Sequence, residues 1–221
     1  MENIISVAHD ALTLILTGLP IVLLLTVLAF FPALGIGIVG GLAASSRYKV
    51  LRIVASSYVY VFRSTPFLMF IFLVYYGLPA YDVDIGPVTT AVIALSLSHG
   101  AYMTEIIRGG LKGVDKGQNE AAIALGFNFL QRIKDITLPQ TLMMIIPSLL
   151  GQAILIIKDT SLVSVVGISE ITRLGREVVI RTNEPFIVFT LLGITYFVVC
   201  SMLELVARKL ENRARRVLSG H

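Results

Sequence analysis

An all-α integral membrane protein is expected from three observations. The chain is 56% hydrophobic and only 14% charged, with a mean hydropathy of +0.85, far from the composition of a soluble domain. Apolar stretches near residues 12–44, 53–79, 88–107, 138–157 and 186–207 are each long enough to cross ~30 Å of hydrocarbon, which takes about 20 helical residues. None of them alternates with the period of two that barrel strands need, and in a bilayer the other structure that satisfies its own backbone is the helix. The expected organisation is one transmembrane domain over residues 1–221 with five spanning helices.

In the first span, Gly35, Gly37 and Gly40 spell a pattern that elsewhere suggests dinucleotide binding. Here it lacks a preceding strand, and no acidic residue between Asp10 and Asp82 is available for a ribose, so the glycines read as packing. Gly37 and Gly41 also have the spacing that lets two membrane helices approach closely.

The second stretch is interrupted by Arg63, Ser64, Thr65 and Pro66. The residue before a proline leaves helical geometry, so a break is expected there, with Ser64 or Thr65 capping a new helix that Pro66 opens. A helix N-terminus exposed inside a membrane cavity favours an anionic group such as a carboxylate; a plain proline kink satisfied by neighbours is the alternative. Helical facing adds Met69 as a lining candidate. The third span carries Ser96, Gly100 and Met103, with His99 and Tyr102 beside them; His99 is either a lining residue or a satisfied interior histidine.

Between the third and fourth spans lies GQNEAAIALGFNFLQRIKDITLPQ, which reads as helix, bend, helix. Asn119 is placed to cap a helix through Glu120, Ala121 and Ala122, Gly126 to end it, Asn128 to cap a second helix through Asp135, and Pro139 to open the fourth span. In that span Pro147 marks a kink, and Ser148, Gln152 and Asp159 fall within ~40° of one another around the helix. Lys158 beside Asp159, followed by Thr160 and Ser161, fits an internal ion pair, ligands for a zwitterion, or a bridge at the membrane interface.

Orientation follows from the basic residues. Arg47, Lys49 and Arg52 lie between spans one and two, and Arg108, Lys112, Lys116, Arg132 and Lys134 between three and four; Arg208, Lys209, Arg213, Arg215 and Arg216 form the tail. These segments are expected in the cytoplasm, with the N-terminus outside. The segment from Lys158 to Pro185 conflicts with this rule, since it carries Arg173, Arg176 and Arg181 yet falls outside in a five-span topology. MENIISVAHD has no basic residue and precedes an apolar run longer than a signal-peptide core, so no cleaved signal is expected. The net charge of +4 comes from the loops and suits anionic lipid headgroups, not nucleic acid.

Enzymatic chemistry finds no support. The chain has no Walker A pattern, and His9, His99, His221 and the single Cys200 share no metal-ligand spacing. Ser46 and Lys49 fit S-x-x-K only as part of a basic loop, and Cys200 reads as a packing residue.

Glu120, Ala121, Ala122, Gly126, Ile136, Leu138 and Pro139 resemble the EAA loop of ATP-binding-cassette importer permeases. With FRSTPFLMFIFLVYYGLP at 62–79, AYMTEIIRGGLKGVDKGQNEAAIALG at 101–126 and IIKDTSLVSVVGISEI at 156–171, the chain resembles the polar amino acid subfamily of those permeases. The resemblance implies a type I importer permease fold in the inner (cytoplasmic) membrane, with the loop over 117–137 acting as a cytoplasmic coupling helix. It further implies two ATPase subunits, a second permease chain, identical or related, and an extracytoplasmic amino-acid-binding protein. ATP and Mg would sit on the ATPase, with no cofactor on this chain. Carried over to this sequence, Glu120, Ala121, Ala122 and Gly126 contact the ATPase, and Thr65, Lys158, Asp159, Thr160 and Ser161 lie near the substrate path. Met69, His99 and Gln152 join them from helical facing alone. His99, Gly151 and Gln152 depart from the residues usual in relatives, which leaves the charge class of the substrate open. A self-contained secondary carrier or channel is the competing expectation.

Overall fold

The computed structural model describes residues 2–218, with side chains over 5–212, so the side chains of Arg213, Arg215, Arg216 and His221 lie outside the described residues. Every regular element among them is helical: α1 (Glu2–Ser45), α2 (Lys49–Ser64), α3 (Phe67–Gly77), α4 (Gly86–Gly113), α5 (Lys116–Ala124), α6 (Phe129–Gln131), α7 (Leu138–Asp159), α8 (Ile171–Thr182) and α9 (Pro185–Leu218). A π-helical turn over Arg132–Thr137 and a 3-10 turn over Thr160–Val166 extend α7 at its two ends.

The centre of the bundle is the pairing of α1 with α4. A Cβ on Gly37 would meet Met103 Cβ, one on Gly40 would meet Thr104, and one on Gly41 would meet Ile107; from the other side, one on Gly100 would meet Ile36. Residue numbers rise together along both helices, so the two run parallel. Lipid supplies little hydrophobic drive for helices to associate, and close approach over small residues supplies the dispersion contact instead. Ser96 Oγ reaches the Ala29 carbonyl at 3.2 Å across the same seam. On another face of α4, α7 runs antiparallel, with Gly110 against Ile145 and Gly113 against Met144. The first core, including Leu25, Ala29, Ile71, Leu95, Met103 and Ile156, fills the space between these helices.

A second core joins Ile15, Val22, Ile157, Ile171, Val188, Leu192 and Cys200 and seats α8 and α9. Along α9, Tyr196 lies by Thr160 and Cys200 by Lys158, so α9 runs antiparallel to α7. These directions put Arg47, Lys49, Arg52, Arg108, Lys112, Lys116, Arg132, Lys134 and Arg208 at one end of the bundle and Asp10, Asp82 and Asp84 at the other. With 12 residues, α8 rises only about 18 Å, too short to cross. Its three arginines therefore stay at the end opposite the basic loops.

The helices differ from the five straight spans in informative ways. Three segments are long and apolar enough to cross: Ile5–Ser45, Phe129–Val166 and Pro185–Asn212. The stretch expected at 53–79 is instead a pair, Lys49–Ser64 and Phe67–Tyr81, bent by 101°. The break falls where Pro66 predicts it, but neither expected cap forms. Pro66 itself holds the N-cap position of α3 without a side-chain hydrogen bond, and Thr65 Oγ1 donates back to Val61 O at 2.9 Å. The helix α4 lacks a long apolar window because Ser96, Ser98, His99 and Thr104 are all buried against its neighbours. Pro139 lies in the first turn of α7, as expected, but the helix before it does not end there, since helix continues from Phe129 to Val166. The π turn before Pro139, closed by Leu138 N–H donating to Ile133 O, absorbs the missing proline donor without ending the helix.

Candidate functional site: a polar centre and a capped loop

Two places gather the sequence-predicted residues. The first is where α4 meets the end of α7. His99, 2% exposed, has Nδ1 2.6 Å from Gln152 Nε2 and Nε2 3.2 Å from Asp159 Oδ2. The contact to Asp159 lacks hydrogen-bond alignment, so Nε2 has no hydrogen-bond partner. The Gln152 amide donates to Nδ1, which leaves the proton of a neutral ring on Nε2, facing the carboxylate. Phe67 at 6.4 Å and Tyr102 at 6.3 Å between centroids hold the ring. The Asp159 side chain remains 34% exposed.

The other predicted residues lie apart from this cluster. Asp159 pairs with His99 and not with Lys158, because neighbouring residues of a helix point about 100° apart. Lys158 is exposed on the side near Cys200. Thr160 is fully buried, with Oγ1 donating to Ile157 O at 2.6 Å, and Ser161 Oγ donates to Lys158 O at 2.7 Å. Both hydroxyls thus serve the turn that ends α7. Ser148 is exposed and outside the cluster, as are Thr65 and Met69 near the α2–α3 break.

Beside this cluster the sequence reading missed a groove of about 470 Å3, lined by Ser56, Tyr60, Arg63, Ser64, Tyr102 and Glu105 among others. The Arg63 guanidinium stacks over the Tyr102 ring at 5.1 Å, and Glu105 holds Arg108 with two hydrogen bonds of 2.9 and 2.6 Å. A charged residue within a predicted span was the available signal for Glu105. Also missed was Glu170, fully buried at the start of α8. Its carboxylate accepts from the backbone of Arg173 at 2.9 Å and Thr172 at 2.8 Å, and from Tyr196 OH at 3.1 Å. Burial pushes this carboxyl up from its ordinary value, against those hydrogen bonds. A Cβ on Gly18 would lie 2.9 Å from the Glu170 backbone, so the knot ties α1, α8 and α9 together.

The second place is the connection from α4 to α7. Asp115, not Asn119, caps α5, its Oδ1 accepting from Gly117 N at 2.7 Å. Both residues are good caps, and the helix starts one turn earlier than expected. Asn119 Oδ1 instead accepts from Arg132 Nη1 at 3.0 Å, tying α5 to the π turn. Gly126, at φ +80°, closes α5 by donating to Ile123 O, while Phe127 N donates to Ala122 O. Asn128 and Gln131 then form a reciprocal capping box. Ala122 is buried, whereas Glu120 and Ala121 are exposed together with Ile123, Leu125, Phe129 and Leu130. The connection thus carries an exposed apolar surface at the basic end of the bundle.

Residues 36–216 match the family described as binding-protein-dependent transport system inner membrane component. The chain belongs to this family. It is therefore an integral inner-membrane protein and a transport subunit, not itself an enzyme. Among its relatives, the glutamine transport system permease protein of Escherichia coli is 32% identical over 95% of this chain and 97% of that one. The arginine transport system permease protein of Bacillus subtilis is 34% identical over 91% and 92%. A crystal structure of an amino acid ABC transporter with histidines superposes with a TM-score of 0.85 and 34% identity, covering 91% of this chain and 94% of that one. The inner membrane component assigned here thus has the fold of an amino acid transporter subunit.

Proposed function

We propose that this chain is the permease subunit of an ATP-binding-cassette importer that moves a polar amino acid into the cytoplasm. The observation that carries the reading is the unbroken helix from Phe129 to Val166. It begins at the capped, apolar-exposed loop and passes Gln152 and Asp159 at the polar centre. From Phe129 to Asp159 it rises about 45 Å at 1.5 Å per residue, so a push on the loop reaches the polar centre through one stiff element. A self-contained carrier has no use for such a loop.

In this reading five spans cross the membrane, the bent α2–α3 pair and α4 among them, with α4 shielded from lipid by its neighbours. The basic end is cytoplasmic and the N-terminus outside. Glu120 and Ala121 lie on the surface that enters an ATPase subunit, with Ala122 packed beneath it and Gly126 setting its bend, one ATPase per permease chain in a pair of each. The ATPase carries the ATP and Mg. An extracytoplasmic binding protein delivers the amino acid to the end that holds Asp10, Asp82 and Asp84. Asp159 and Lys158, and Thr65 and Met69 near the break, border the path. Thr160 and Ser161 shape the turn beneath it, and ATP-driven rocking of α7 against α4 opens the path alternately to each side.

Tagging the C-terminus, purifying in mild detergent and identifying co-purifying chains tests this directly. A stoichiometric ATPase, with ATP hydrolysis stimulated by amino-acid-loaded binding protein, is the expected result. A chain that purifies alone and takes up solute without ATP establishes the carrier instead.

A further inference from the structure

His99 is too deeply enclosed to touch a passing solute, at 2% exposure between the Phe67 and Tyr102 rings, yet its Nε2 is the buried polar atom left without a hydrogen-bond partner at the polar centre. Its other nitrogen is fixed by Gln152 at 2.6 Å, so the ring cannot turn to improve the contact without losing that bond. What Nε2 faces is Asp159 Oδ2 at 3.2 Å. One edge of the carboxylate thus meets His99, and the side chain stays 34% exposed. No lysine or arginine pairs with it among the described residues. A partly open carboxylate with one side held and no cation of its own is an acceptor for an ammonium group.

We infer that His99 is a positioning residue, oriented by Gln152, that holds the Asp159 carboxylate ready to take the α-ammonium group of the transported amino acid. This rests on the proposed amino acid permease function. The chain Gln152, His99, Asp159 links α4 to the end of α7, so alignment of the Nε2–H bond accompanies any small shift between them. The ammonium is common to all α-amino acids, so the contact reads the zwitterion and leaves side-chain preference to other residues.

The test uses the complete transporter, with its ATPase and binding protein, in proteoliposomes and with a panel of radiolabelled L-amino acids, cystine, glutamine and arginine among them, as probes. His99→Ala and Asp159→Asn each lower the uptake rate at saturating substrate about tenfold, the usual scale for losing a group that orients a functional ligand. Each rate is expressed per assembled complex, counted from the co-purified ATPase. The double variant is no worse than either single one, since both remove the same contact. His99→Gln, which can still donate to the carboxylate, recovers a large part of the rate.

Independent, multiplying losses overturn the inference, as does normal uptake per assembled complex in His99→Ala. Should His99→Ala not assemble, the same comparison is made with His99→Leu, which keeps the volume but cannot donate, Asp159→Asn and their double. Absence of ATP-driven uptake of every amino acid in the panel by the wild-type complex overturns the permease reading and this inference with it. Normal wild-type uptake with multiplying losses overturns the inference alone.

Discussion

Replacing Gly126 with valine is expected to uncouple ATP hydrolysis from transport while leaving the membrane bundle intact. The residue sits at φ +80° and has no atom within 4 Å of where a Cβ would be built, so the cost is conformational and not a clash. For an L-residue, and a β-branched one above all, the left-handed region costs about 1–2 kcal/mol. That corresponds to roughly a 5- to 30-fold loss in the population of the native bend. The bond lost with it, Gly126 N donating to Ile123 O, ends α5, so Glu120 and Ala121 would no longer be presented at a fixed angle to the capping box. Gly126→Asn is the control, because asparagine tolerates this region. Steady-state ATPase and amino acid uptake, measured on the same proteoliposomes, give the moles transported per ATP. The valine variant is expected to lose at least fivefold in that ratio and the asparagine variant much less. Equal ratios in the wild type, Gly126→Val and Gly126→Asn proteins would refute the reasoning.

The remaining expectations are narrower. Gly40→Leu places a side chain against Thr104 on α4 and is expected to abolish assembly, or to lower thermal stability by about 3 kcal/mol or more, whereas Gly35→Leu, whose Cβ meets nothing within 4 Å, is expected to be tolerated; detergent melting curves separate the two. Glu170→Ala leaves two backbone amides and Tyr196 OH without their acceptor and is expected to cost about 3 kcal/mol. Because burial raises the Glu170 carboxyl, the folded state holds its proton more tightly than the unfolded one. Its stabilisation is then full below the unfolded value, about 4.3, and declines as pH rises through the folded one. Melting temperature against pH shows that slope in wild type, and a flatter one in Glu170→Ala. Arg132→Ala breaks the link to Asn119 and is expected to lower the transport-to-ATPase ratio severalfold with little change in melting temperature.

Local signals carried most of the helical architecture, and their failures came where two local rules competed. The small-residue seam was readable because Gly37 and Gly41 lie four apart on one face, and both do face α4. The break at Pro66 was readable from proline sterics, but not its cap, because Thr65 satisfies itself on Val61. Asn119 was read as the cap of α5, whereas Asp115 caps it one turn earlier and Asn119 bonds Arg132 thirteen residues away. Pro139 does sit in the first turn of α7; that a π turn joins it to the helix before it was not legible in the sequence. The polar centre was partly legible, since Gln152 and Asp159 share a face of α7. Their common partner His99 lies 53 residues from Gln152, a separation at which pairing is set by helix packing alone. Glu170 lies within the 156–171 segment that carries the resemblance, but no spacing marked it as buried, and it packs where Gly18 admits the start of α8.

The loop after α4 is the predicted point at which an ATPase engages this chain. Ala121, exposed on α5, offers the most direct measurement: Ala121→Cys, in a chain whose own Cys200 is replaced by serine, labelled with a short maleimide photo-crosslinker that inserts into any neighbouring chain on illumination in native membranes. A crosslink to an ATPase subunit, whose yield changes when ATP is added, is the predicted result. An introduced thiol that is labelled from the extracytoplasmic side, or that crosslinks to no ATPase while the transporter remains active, would contradict it.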